Sequence, residues 1–64
     1  MSARLEPLAE QLEAIAEEIA EAAIEELKGA VRRGEKRSSA ERTLTQARRA
    51  VAKAAHLLRS DESD

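Results

Sequence analysis

The chain has 64 residues, no cysteine and no aromatic residue, and alanine supplies much of its apolar share. One small domain is the most this length supports, its core is marginal without a second body, and disulfides and thiolate metal sites are excluded. The formal net charge of −2 hides a division: residues 1–27 hold eight Glu against one Arg, and residues 28–53 hold nine Lys or Arg against two Glu.

The first element is a helix. Leu5, Leu8, Leu12, Ile15, Ile19 and Ala22 recur at three- and four-residue steps, which is a helical seam. Pro7 is tolerated only in a first turn, so the helix is expected to begin near Glu6 or Pro7. Ile24, Leu27 and Val31 leave the seam for a neighbouring face. They read either as core at the wide end of a bundle or as a partner-binding patch. Lys28-Gly29 has the pattern of a helix end, and Gly34 is a second breaker. Helix one is therefore expected over about 6–28 and a turn over about 29–35.

Helix two is expected over about 36–59. Its start has two signals, Gly34 pointing to Glu35 and the capping box Ser38–Glu41 pointing to Ser39, and the sequence does not separate them. Its seam is Leu44, Ala47, Val51, Ala54 and Leu58. A fold-back pairs Ile19 with Leu44, Leu12 with Val51 and Leu5 with Leu58, so residues 1–59 form a single helical-hairpin domain. The tail 60–64 carries no apolar residue and is expected to be disordered. The fold class is all-α, an antiparallel helical hairpin of coiled-coil type. A short chain with an apolar stripe larger than it can cover is expected to dimerise into a four-helix arrangement.

At 100° per residue, the seam of helix two covers an arc of about 80°. Glu35, Ser39, Arg42, Gln46 and Ala50 form a second stripe roughly 120° away, which Lys53 and Leu57 continue. This stripe, Glu35-x3-Ser39-x2-Arg42-x3-Gln46, resembles the cyclic di-GMP signature of the RsiG-type anti-sigma factors. Four of the five signature positions match in order and spacing, and the fifth, an Asp in that family, is Ala50 here. The chemistry suits such a ligand. Arginine forks onto guanine O6 and N7 or pairs with phosphate, a carboxylate accepts from the guanine N1 and N2 edge, and Ser and Gln add neutral hydrogen bonds. Arg37, Arg49 and Lys53 would contribute positive field as accessory contacts.

The resemblance implies a bacterial regulator of transcription that binds cyclic di-GMP through Glu35, Ser39, Arg42 and Gln46. It implies a homodimer that doubles the motif and, when loaded, sequesters an RNA polymerase sigma factor of flagellar or sporulation type. Ala50 removes one guanine-edge carboxylate from that scheme. The alternative is a structural or adaptor hairpin that homo-oligomerises without a small ligand, its basic half neutralising its acidic half.

Other classes find less support. No nucleophile–base set or glycine-rich phosphate loop occurs, so no enzyme and no cofactor are expected. The lone His56 has no second His or Cys beside it, so no metal site is expected either. Nucleic-acid binding through Arg32, Arg33, Lys36, Arg37, Arg48 and Arg49 is opposed by the acidic first half and the lack of aromatics for base stacking. No apolar run reaches membrane-spanning length, the opening residues lack a signal-peptide pattern, and the absence of cysteine suits a reducing compartment. A cytoplasmic protein without membrane contact is expected.

Overall fold

The computed structural model describes residues 3–63, with side chains as far as Asp61. Two helices account for nearly all of it: α1, Leu5–Arg32, and α2, Ser39–Ser63. They pack against each other as an antiparallel hairpin measuring 51 × 13 × 11 Å.

Helix α1 starts one residue before Glu6. Its first helical bond runs from the Leu8 amide to the Arg4 carbonyl, 3.2 Å. Pro7 is the third helical residue, a position whose amide has no helical acceptor in any case, so the missing N–H costs nothing there. The end of α1 departs from expectation. The helix does not stop at Lys28 but runs through Gly29 to Arg32. A glycine inside a helix costs about 0.5–1 kcal/mol relative to alanine. Continuing for another turn completely buries Ala30 and delivers the chain to Gly34.

Gly34 is the true stop. Its φ is +79°, in the left-handed region that side-chain-bearing residues avoid. The Glu35 amide donates to the Ala30 carbonyl at 2.8 Å and the Gly34 amide donates to the Val31 carbonyl at 3.0 Å. This crossed pair of bonds is a Schellman ending, which satisfies two carbonyls the helix leaves free. The turn is therefore 33–38 rather than 29–35. Helix α2 starts where the capping-box signal put it: the Ser38 hydroxyl accepts from the Glu41 amide at 3.0 Å. The Glu41 carboxylate turns forward and accepts from the Thr45 hydroxyl at 2.8 Å, so only half of the box forms.

The far end of α2 also differs from expectation. The segment expected to be disordered continues the helix through Ser63, and Asp64 lies outside the described residues. The physical reason is that Ser60-Asp61-Glu62 contains neither glycine nor proline, and Arg59 anchors the last turns. The Arg59 guanidinium donates to Glu6 at 2.9 Å and also pairs with Glu13, tying the end of α2 to the start of α1.

The core is made of alanine. Ala9, Ala16, Ala23 and Ala30, seven residues apart, are buried along α1, and Ala55 is buried on α2. Among the described residues no large side chain is fully buried. Leu5, Leu12 and Ile19 flank the alanine row and are half-buried, as are Leu44, Ala47, Val51, Ala54 and Leu58 across from it. The expected seam of α2 is thus in place, but that of α1 is rotated. Leu8, Ile15 and Ala22 are exposed, each one residue before a buried alanine. Alanine methyls let the two backbones approach closely, so the packing centre shifts onto the smallest residues. Ile24, Leu27 and Val31 are exposed as well, so they are not core within this chain.

Candidate functional site

The structure divides the four-residue stripe read from the sequence. Glu35 does not lie on helix α2. The left-handed turn at Gly34 carries it off the helical path, and three further turn residues separate it from Ser39. Its carboxylate accepts from Arg33, at 3.1 Å from Nε and 3.3 Å from Nη2. The expectation that one helical face aligns Glu35 with Ser39, Arg42 and Gln46 is therefore corrected. The spacing Glu35-x3-Ser39 crosses a turn and does not measure one turn of helix.

Ser39, Arg42 and Gln46 do share α2 and are all exposed, as is Ala50 beyond them. Ser39 borders an apolar groove between the helices with Ala22, Ala40, Thr43 and Leu44. Arg42 borders two other depressions. In one it meets Leu27, Lys36, Arg37, Ser38 and Glu41; in the other, Glu41, Thr45, Gln46 and Arg49. Arg42 is therefore the centre of a basic surface that joins the turn to the second and third turns of α2. Arg37 and Arg49 stand on either side of it, and Lys53 lies seven residues beyond Gln46 on the same exposed face.

Lys36, Glu41 and Thr45 also belong to this surface, and the sequence reading gave them no part in it. From the sequence Lys36 is one basic residue among several and Glu41 a capping residue. In sequence Glu41 directly precedes Arg42, Thr45 follows it by three residues, and Lys36 stands six residues before it in the turn. The Glu41 carboxylate lines both of these depressions beside Arg42, so a negative group offsets part of the positive charge there.

Arg33 is held above the ordinary arginine range, first by its hydrogen bond to Glu35 and then by that residue's charge. Arg59 is raised in the same direction by its hydrogen bonds to Glu6 and Glu13. A raised pKa favours the charged form in the folded chain. Its contribution is fully present below the ordinary arginine range and is lost only as pH climbs above that range.

The ion pairs joining α1 to α2 among the described residues are those of Arg59. Glu10, Glu17, Glu18, Glu21 and Glu25 are exposed on α1, and Arg42, Arg49 and Lys53 are exposed on α2. His56 is exposed, with Nε2 3.5 Å from the Ser60 hydroxyl. Among the described residues no group of three His, Cys, Asp or Glu side chains could hold a metal, and no helix is long and apolar enough to cross a membrane. No protein-family model, no curated protein and no solved structure matches the chain.

Proposed function

We propose that the protein is a non-catalytic adaptor hairpin that self-associates, its exposed aliphatic rows being covered by the helices of another copy. One observation carries this reading. Among the described residues the buried hydrophobic positions are all alanine, while Leu8, Ile15, Ile24, Leu27, Val31 and Leu57 are each 45% exposed or more. A soluble monomer rarely keeps so large a share of its big aliphatic side chains in water. Sedimentation equilibrium tests it directly. A dimer or larger species in the micromolar range is expected, and a monomer with full helicity at every concentration contradicts it.

A second reading is favoured by the surroundings of Arg42. The resemblance to the RsiG-type anti-sigma factors would make this surface a cyclic di-GMP site, and the protein a cytoplasmic regulator that holds a sigma factor when loaded. Arg37, Arg42, Gln46 and Arg49 are exposed and adjacent, which suits phosphate and the O6/N7 edge of guanine. Both carboxylate positions of the signature are weakened, Ala50 by its identity and Glu35 by its engagement with Arg33. This reading therefore rests on arginine and amide contacts alone. Titration calorimetry with cyclic di-GMP should give saturable binding that Arg42→Ala abolishes. No heat, or unchanged binding in the variant, removes it and leaves the adaptor reading standing.

A further inference from the structure

Leu27 stands at the centre of a surface at the turn end of the hairpin, where it lines three adjoining depressions. The first runs between the helices. Ala20, Ala23 and Ile24 line it from α1, and Glu41, Thr45 and Arg48 line it from α2. The second reaches into the turn, to Lys36 and Arg37, and on to Arg42. The third lies on α1 alone, with Lys28, Val31 and Arg32. Ile24, Leu27 and Val31 are 54%, 45% and 66% exposed. Their spacing of three and then four residues makes them one aliphatic ridge.

Charge sets this ridge apart from the other exposed aliphatic residues. Lys28, Arg32, Lys36, Arg37, Arg42 and Arg48 each share a depression with Leu27. The one acid lining these depressions is Glu41, whose carboxylate already accepts from Thr45. Among the described residues no carboxylate pairs with any of the six cations. The row of Leu8, Ile15 and Ala22 has a different setting. At Ala22 it opens on a groove lined by Glu26, Ser39, Ala40, Thr43 and Leu44, with no cation among them.

We infer that the Ile24–Leu27–Val31 ridge docks an acidic amphipathic helix of another protein, whose apolar stripe covers the ridge and whose carboxylates meet the surrounding Lys and Arg. The inference deepens the adaptor reading by giving the adaptor a partner class, and it holds whether or not the chain self-associates through the Leu8 row. An alanine-lined groove beside an aliphatic ridge of helical spacing is a shape that takes a helix. A second copy does not suit the ridge. A two-fold contact lays a patch on its own image, and here that sets cations against cations. A lipid surface suits it less than a helix does, because the chain has no Trp or Tyr to lie among headgroups. A dinucleotide would engage the arginines and leave the ridge in water.

The probe is a fluorescein-labelled model peptide about three heptads long, with Leu at the a and d positions and Glu at most others. Two control peptides replace its Glu by Lys or its Leu by Ser. Fluorescence anisotropy with the full chain should show saturable binding of the acidic Leu peptide and none of either control. Leu27→Ser and Arg42→Glu should each weaken that binding about tenfold or more. Arg42→Glu alters an exposed charge alone, so it reports even where Leu27→Ser lowers helicity. No saturable binding of the acidic Leu peptide, equal binding of either control, or unchanged binding in Arg42→Glu overturns the proposal. So does binding to phosphatidylserine vesicles in place of the peptide, which makes the occupant a lipid surface. If Arg42→Glu instead lowers the chain's own association in sedimentation, the occupant is a second copy and the proposal is again overturned. A wild-type monomer in sedimentation removes the self-association reading and leaves this one standing.

Discussion

Two rows run side by side along α1, and they invert the usual order of a protein interior. Ala9, Ala16 and Ala23 face α2 and are buried; Leu8, Ile15 and Ala22, each one residue earlier, face outward. The inner row has the smaller side chains. A buried methyl contributes about 0.8 kcal/mol, whereas a fully buried Leu or Ile contributes about 1.5–3 kcal/mol. The inner row therefore fixes how closely the helices approach, the half-buried Leu5, Leu12, Ile19, Leu44, Val51 and Leu58 beside it add stabilisation within the hairpin, and the outer row contributes only when it is covered.

Substitutions can break that contrast or sharpen it. The largest effect is expected from Ala16→Asp, which buries a charge in the alanine row. It should cost about 3 kcal/mol or more and abolish the helical circular dichroism signal, while Ala14→Asp on the exposed surface stays within about 0.5 kcal/mol. Gly34→Ala comes next. It forces a side chain into φ +79°, at a cost of about 1–2 kcal/mol in urea denaturation. Ser38→Ala removes the hydroxyl that caps α2 and should cost about 1 kcal/mol. Gly29→Ala should act in the opposite direction, stabilising by about 0.5–1 kcal/mol. The added methyl would stand 3.2 Å from the Arg33 Nη1, the mobile end of a long side chain that can give way. If Gly29→Ala destabilises as much as Gly34→Ala, the two glycines do not have the separate roles assigned to them. The smallest effect is expected for Arg59→Ala, a modest fall in thermal midpoint that disappears in high salt, as for an exposed ion-pair network.

Much of this architecture is legible from residue types and spacing. The α2 seam from Leu44 to Leu58 follows from periodicity, and the Ser38 cap follows from its hydroxyl three residues before Glu41. The α1 seam was harder, because Leu and Ile outrank alanine on any hydrophobicity scale, yet close packing selects the smaller residue. The turn is hard to place from spacing for a related reason. Gly29 and Gly34 look alike as letters, but it is the left-handed turn at Gly34 that brings the Glu35 and Gly34 amides onto the carbonyls of Ala30 and Val31. That same turn removed Glu35 from the candidate stripe. Spacing alone measures a helical face only after the helix boundary is known, so the Arg42 surface survived and its first carboxylate did not.

The central claim is that the outer row of α1 is covered by another copy. The most direct measurement is the thermal midpoint of the helical signal across a hundredfold range of protein concentration. Folding coupled to association makes the midpoint rise with concentration, and that rise is the result expected here. A midpoint that does not move, with sharp cooperative melting at every concentration, would show that the packing within one hairpin holds it together unaided and would contradict the account.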